Sequence, residues 1–292
     1  LIQVQRGDRA IDLLARCRED IADGEGDLVF EAMESLSRVE RDPEEPRPES
    51  LRWELQELFK VLYKIGMAQV ERLVLLELFY HQVFENDDHR GFQPKGLLVA
   101  IRDSPSLFVE LLRYPWKDDT GSSTRPDDES SKALAKQISG LLHELAELPG
   151  QSELCPMKGK TIAEWVFEVI RSASDCKYLV AVDHQLAGIV TSGAWGGIDR
   201  WPAPDLGMAI NVLAEAIPET FPRHLEISLS NSRGMHWVDP SGKSERNQAD
   251  QLRKRAEQLR LTCPSASRAL RNIAERLDAE AIQNVERAKW ER

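Results

Sequence analysis

From Val70 to Phe84 the chain sets Val70, Leu73, Val74, Leu75, Leu76, Leu78, Phe79, Tyr80, Val83 and Phe84 around nearly the whole circumference of a helix. A surface helix shows one apolar stripe, so a helix of this kind must be covered by neighbours on several sides. Glu71, Arg72, Glu77 and His81 interrupt the run, whereas a membrane span needs about 18 consecutive apolar residues. The segment therefore predicts the central rod of a helical assembly, bent or broken near Gly66 and ended by the polar loop 85–93.

Two helix starts follow, Gln93-Pro94 and Ser104-Pro105, each with a proline where a first helical residue needs no amide hydrogen. Leu97, Leu98 and Ile101, then Leu107, Phe108, Leu111 and Leu112, keep helical spacing. Before the core rod, residues 9–18 and 28–39 read as a helical hairpin turned by Asp23-Gly24-Glu25-Gly26, and the proline-rich acidic run 41–50 leads to a helix through Trp53, Leu58 and Tyr63. Beyond Pro115, residues 116–131 have almost no apolar content and predict a mobile acidic surface loop. Helices resume over 132–148, 161–172, 176–191, 205–216 and 219–229, broken at 193–202 by three glycines and two tryptophans, and two long helices finish the chain.

The short motifs Pro94-Lys95-x-Leu97 and Ser104-Pro105-x-x-Phe108-Val109-Glu110-Leu111-Leu112 resemble a segment of the C-terminal helical region of large multidomain bacterial proteins. These are described as ATP-binding or NTPase-linked and are suspected of antiphage defence. The similarity continues at Asn231-Ser232-Arg233-Gly234 with Trp237 shortly after, and at Ala266-Ser267-Arg268-Ala269-Leu270-Arg271-Asn272-Ile273-Ala274 behind Pro264. It covers roughly residues 60 to 290. Cys263 stands before Pro264 where the pattern has tryptophan, and Val238 follows Trp237 where it has a basic residue. The resemblance implies a helical region whose nucleotide-binding part lies outside this chain. The start at Leu1 rather than methionine likewise reads as a piece of a longer protein.

A net charge of −11 argues against a general nucleic-acid or anionic-membrane binder, since phosphate contacts need clustered Lys and Arg. Residues 244–292 are locally basic, with 11 Lys or Arg against 8 Asp or Glu, which predicts a solvated face of alternating charge ahead of a docking patch. The four cysteines, Cys17, Cys155, Cys176 and Cys263, lack paired spacing, which suits a reducing cytoplasm.

Two fragments imitate a phosphate-binding loop, Gly159-Lys160-Thr161 and Gly242-Lys243-Ser244. The full motif needs a first glycine where Leu154 and Trp237 stand, so both read as helix starts with Thr161 and Ser244 as caps. Cys155, Cys176 and His184 have no zinc-ligand spacing, Asp87-Asp88-His89 reads as a solvated turn, and no serine elbow, Cys–His pairing or His-Glu helix motif is present. No catalytic residue, metal ligand or cofactor is expected.

The residue types enriched at binding hot spots gather in glycine-bearing turns: Trp195, Arg200, Trp201, Arg233 and Trp237, with Asn231 and Gly234 forming a helix exit. The expected architecture is all-α, an irregular HEAT-like α-solenoid with a small β-turn or hairpin near 235–242. It divides into an N-terminal helical half, 1–115, holding the core helix 66–84, the acidic loop 116–131, and a C-terminal helical half, 132–292. The expected function is a non-catalytic interaction or sensor module that binds a protein partner or other domains of its own polypeptide, with no membrane partner and nucleic acid disfavoured. The alternatives are an enzyme assembled from dispersed Asp, His and Cys, or nucleic-acid binding by the C-terminal helices.

Overall fold

In the computed structural model, residues 7–37, 49–65, 67–84, 93–123, 126–151, 153, 155–234 and 239–290 are described. Thirteen α-helices and no strand occur among them. The all-α expectation holds, but the small β element near 235–242 does not. Within the described part of that stretch, residues 239–242 form a turn that runs directly into a helix.

The helices form two compact units that interleave in sequence, whereas composition places the division at 116–131. The first unit takes α1 (Gly7–Arg16), α2 (Gly26–Ser37), α3 (Glu49–Ile65), α4 (Val70–Phe84), α5 (Lys95–Asp103) and α7 (Glu129–His143). The second takes α6 (Pro105–Leu112), α8 (Ile162–Cys176), α9 (Leu179–Thr191), α10 (Pro204–Ala216), α11 (Phe221–Asn231), α12 (Lys243–Leu259) and α13 (Pro264–Trp290).

In the first unit α1, α2 and α3 pack on one another, and α4 packs against α2, α5 and α7. Leu73, Leu76, Tyr80 and Phe84 of α4 join Phe30, Met33, Leu55, Leu58, Phe59 and Leu62 in one apolar core. Phe59 meets Tyr80 and Phe84 edge-on, with ring centres 6.3 and 6.1 Å apart. The Tyr80 hydroxyl reaches through this core to donate to the Met33 carbonyl at 2.8 Å. Coverage of α4 stops short of the full circle that its sequence suggests, because Leu75 is exposed.

Glu77 explains the polar interruption of α4. Fully buried, its carboxylate accepts the amides of Gly96 and Leu97 at 2.7 and 2.8 Å, thereby satisfying first-turn donors of α5 that have no partner within their own helix. Gly96 is required for this approach, since a Cβ there would lie 2.7 Å from Leu73 Cγ and 3.1 Å from Glu77 Oε1. Pro94 sits at the cap of α5 one position earlier than expected, while Pro105 opens α6 as its first residue.

In the second unit α6 packs on α8 and α8 on α10, while α9 packs on α11 and α11 on α13; α12 and α13 form the most extensive pair. Trp165 is fully buried and meets Phe108 edge-on at 5.8 Å. Thr161 caps α8 as expected and trades hydrogen bonds with Glu164. In the acidic stretch, Asp119 is tied to the start of α9: its carboxylate accepts from Leu179 and Val180 at 3.1 Å, and its amide donates to the Lys177 carbonyl at 2.7 Å. Asp128 caps α7, which begins at Glu129, ahead of the expected 132. No described helix is long and apolar enough to cross a membrane.

Burial pushes the Glu77 carboxyl from its usual range up to about 7, against the hydrogen bonds from Gly96, Leu97 and Tyr63 that favour the charged form. The native state therefore holds a proton that the unfolded chain releases near 4.5. That contribution to stability is complete below the unfolded value and is lost as pH rises through about 7. Urea unfolding of the parent and of Glu77→Gln between pH 5 and 8 should show a decline with pH in the parent that the variant lacks, amounting to roughly 3 kcal/mol.

Candidate functional site

The break between α9 and α10 and the exit from α11 bring two of the sequence-derived binding residues together. Trp195 lies in a 3₁₀ turn at Ala194–Gly197, and its indole donates to the Leu229 carbonyl at 2.7 Å. That carbonyl, near the end of α11, also accepts the Ser232 hydroxyl at 3.0 Å, so both groups cap a helix terminus. Arg233 follows immediately, with its guanidinium 5.9 Å from the Trp195 ring centre and its Nη1 donating to Glu280 of α13 at 3.0 Å. Only 10% of the Arg233 side chain is exposed, and its Nε and Nη2 are buried with no hydrogen-bond partner. These two nitrogens form one edge of the guanidinium fork, the geometry that grips a carboxylate or phosphate in bidentate fashion. Leaving two donors of a cation unpaired costs several kcal/mol.

Asn231 is the last residue of α11, while Gly234 takes the left-handed conformation with φ of 69° and donates to the Asn231 carbonyl. Trp201 is buried and donates its indole N–H to the Val190 carbonyl at 2.8 Å. Arg200 points to solvent, yet its backbone is held: the Arg255 guanidinium of α12 donates to the carbonyls of Arg200, Trp201 and Pro202 at 2.8 to 2.9 Å. Trp237 lies outside the described residues.

Both imitations of a phosphate loop are filled by the chain itself. At the start of α12 the Asp239 carboxylate accepts the amides of Ser241, Lys243 and Ser244, the donors that an anion would need. These bonds hold its pKa at about 2. Asp239, not Ser244, is thus the cap. Gly242 adopts φ of 63°, and a Cβ there would lie 2.5 Å from the Ala281 carbonyl oxygen. At the other imitation, Lys160 is paired with Glu168 at 2.7 Å.

Sequence reasoning missed a second cluster. Asp183 of α9 is fully buried, and its Oδ2 accepts the Thr220 hydroxyl and the Nδ1–H of His224 on α11, the latter at 2.9 Å. Its Oδ1 is buried without a partner. His184 adjoins it on the exposed side, with ring centres 5.8 Å from His224 and 5.0 Å from Trp116. An Asp and a His 41 residues apart on different helices leave no spacing signal. The one sequence cue was a charged residue inside the apolar run of α9. Cys155 is buried, and among the described residues no group of three or more potential metal ligands converges.

No protein-family model, curated protein or solved structure matches the chain.

The anchoring of the 200–202 turn has a measurable consequence. Arg255→Ala strands three carbonyls and should lower unfolding free energy by roughly 2 kcal/mol or more in urea titrations, with a change in Trp201 emission at low denaturant. Wild-type stability in that variant would show that the turn holds without it.

Proposed function

We propose that this chain is a helical interaction module, non-catalytic in itself, that recognises an anionic group on a protein partner through Arg233 and Trp195. The observation that carries the reading is the buried guanidinium edge without a partner. Native structures pair such groups nearly always, so an unpaired cation edge calls for a partner that would satisfy it. The guanidinium lies within cation–π range of the Trp195 ring, and Arg and Trp are the residue types that dominate binding energy at interfaces.

The contact chains α6–α8–α10 and α9–α11–α13 support an irregular HEAT-like solenoid within the second unit. A solenoid surface suits a scaffold or sensor, and the resemblance to helical regions of bacterial NTPase-linked proteins favours a role in cytoplasmic defence or signalling, docked to a partner or to other domains of its own polypeptide. The basic C-terminal helices supply less support for nucleic-acid binding, since Arg253, Arg260, Arg271 and Arg276 pair with Asp or Glu and Arg246 and Arg255 bond to backbone carbonyls.

The enzyme reading draws on Asp183 and His224, a carboxylate orienting an imidazole. In a nucleophilic triad the hydroxyl bonds to the imidazole, whereas here Thr220 bonds to the carboxylate.

Arg233→Met removes the charge and keeps the bulk. It should be within about 1 kcal/mol of the parent in urea unfolding, or more stable, because no satisfied pair is lost on the Nε edge. In affinity capture with isotope-coded quantification, the partner retained by the parent should be lost by Arg233→Met and by Trp195→Ala, and kept by Arg200→Ala. A partner profile unchanged by Arg233→Met, or nucleotide or ester hydrolysis that follows the purified chain, would overturn the reading.

A further inference from the structure

We propose that His184 and His224 together bind a divalent transition-metal ion, with Asp183 as the positioning carboxylate behind His224. Three observations lead there.

The first is orientation. The Nδ1–H of His224 is committed to Asp183 at 2.9 Å, which fixes the tautomer and turns Nε2 away from the carboxylate. This carboxylate–imidazole arrangement is the one that stands behind metal-bound histidines, where it holds the ring and raises its basicity. Thr220 holds the same carboxylate oxygen from the other side and limits its rotation.

The second is spacing. The His184 and His224 rings lie 5.8 Å apart with an interplanar angle of 70°. An ion about 2 Å from one nitrogen of each ring leaves ring centres roughly 5 to 6 Å apart. Trp116 lies beside His184, with ring centres 5.0 Å apart. His184 is exposed and the His224 side chain is 27% exposed, so an ion reaches the pair from solvent.

The third is charge. Asp183 is completely buried, contacts one hydroxyl and one imidazole, and has an oxygen with no partner. A buried carboxylate is costly unless positive charge lies close by. An ion on Nε2 places positive charge one ring away from that oxygen. No third His, Cys, Asp or Glu converges on the pair among the described residues, so water completes the coordination. Imidazole ligands of this kind favour Cu²⁺, Ni²⁺ and Zn²⁺ over Mg²⁺ or Ca²⁺.

The test uses the whole chain carrying Cys17→Ser and Cys176→Ser, which removes the two cysteines that are not fully buried. After chelation and dialysis, calorimetric titration with Zn²⁺ should give one ion per chain. His184→Ala lies at an exposed position and leaves the helical circular dichroism unchanged; it should weaken Zn²⁺ binding tenfold or more, as should His224→Ala. Asp183→Asn should weaken it by about 10- to 100-fold. Electron paramagnetic resonance of the Cu²⁺-loaded chain should show hyperfine coupling to two imidazole nitrogens. Stoichiometric Zn²⁺ binding that survives His184→Ala at full strength, absence of saturable binding by the folded parent, or a Cu²⁺ spectrum without two coupled nitrogens would each overturn the proposal.

Discussion

Each of the two helical units is organised around a carboxylate with no access to water. In the first, Glu77 sits inside α4 and gathers the leading amides of α5; in the second, Asp183 sits inside α9 and gathers groups at the start of α11. A buried polar group in that position is costly unless its hydrogen-bond partners stay in place, so each carboxyl fixes a neighbouring helix in register as apolar contact alone does not. Apolar packing supplies most of the stability, but it is non-directional. The carboxylates state which part of the next helix belongs beside them.

The two differ in how fully they are answered. Glu77 has an amide on each oxygen, in the geometry of a helix cap supplied from another element, and behaves as structure. Asp183 leaves one oxygen unanswered and hands its other to an imidazole that opens toward solvent. Arg233 repeats that incompleteness with the opposite sign, a cation nine-tenths covered whose Nε and Nη2 are buried without a hydrogen-bond partner. By contrast, the loop that most resembles a phosphate cradle is closed by Asp239. The three places thus differ in how far the chain satisfies its own polar groups.

Much of the architecture was legible because helical periodicity is a local property. Leu73, Leu76, Tyr80 and Phe84 announce a buried rod, and Thr161 announces where α8 begins. The placement of Leu75 in solvent was not legible, since periodicity reports that a face is apolar without reporting which neighbour covers it. The same limit hid the cap of α12: Ser244 looks like a cap in sequence, but Asp239 reaches the free amides first because Gly242 turns the chain back upon them. Arg233 and Trp195 stood out as residue types, and the structure adds that the guanidinium lies 5.9 Å from the Trp195 ring centre with two nitrogens lacking a hydrogen-bond partner. Trp201, chosen on the same grounds, is committed to the interior. The Asp183–His224 pair was invisible, since its members meet only once α9 and α11 pack.

Amide hydrogen exchange at Gly96 and Leu97 tests the organising role of the buried carboxylates most directly. First-turn amides of a helix ordinarily exchange fast, having no partner inside their own helix. If Glu77 holds the start of α5, those two amides exchange as slowly as the interior of α4, through unfolding of the whole unit. Exchange at the rate of an open helix terminus, with α4 itself still protected, would contradict it.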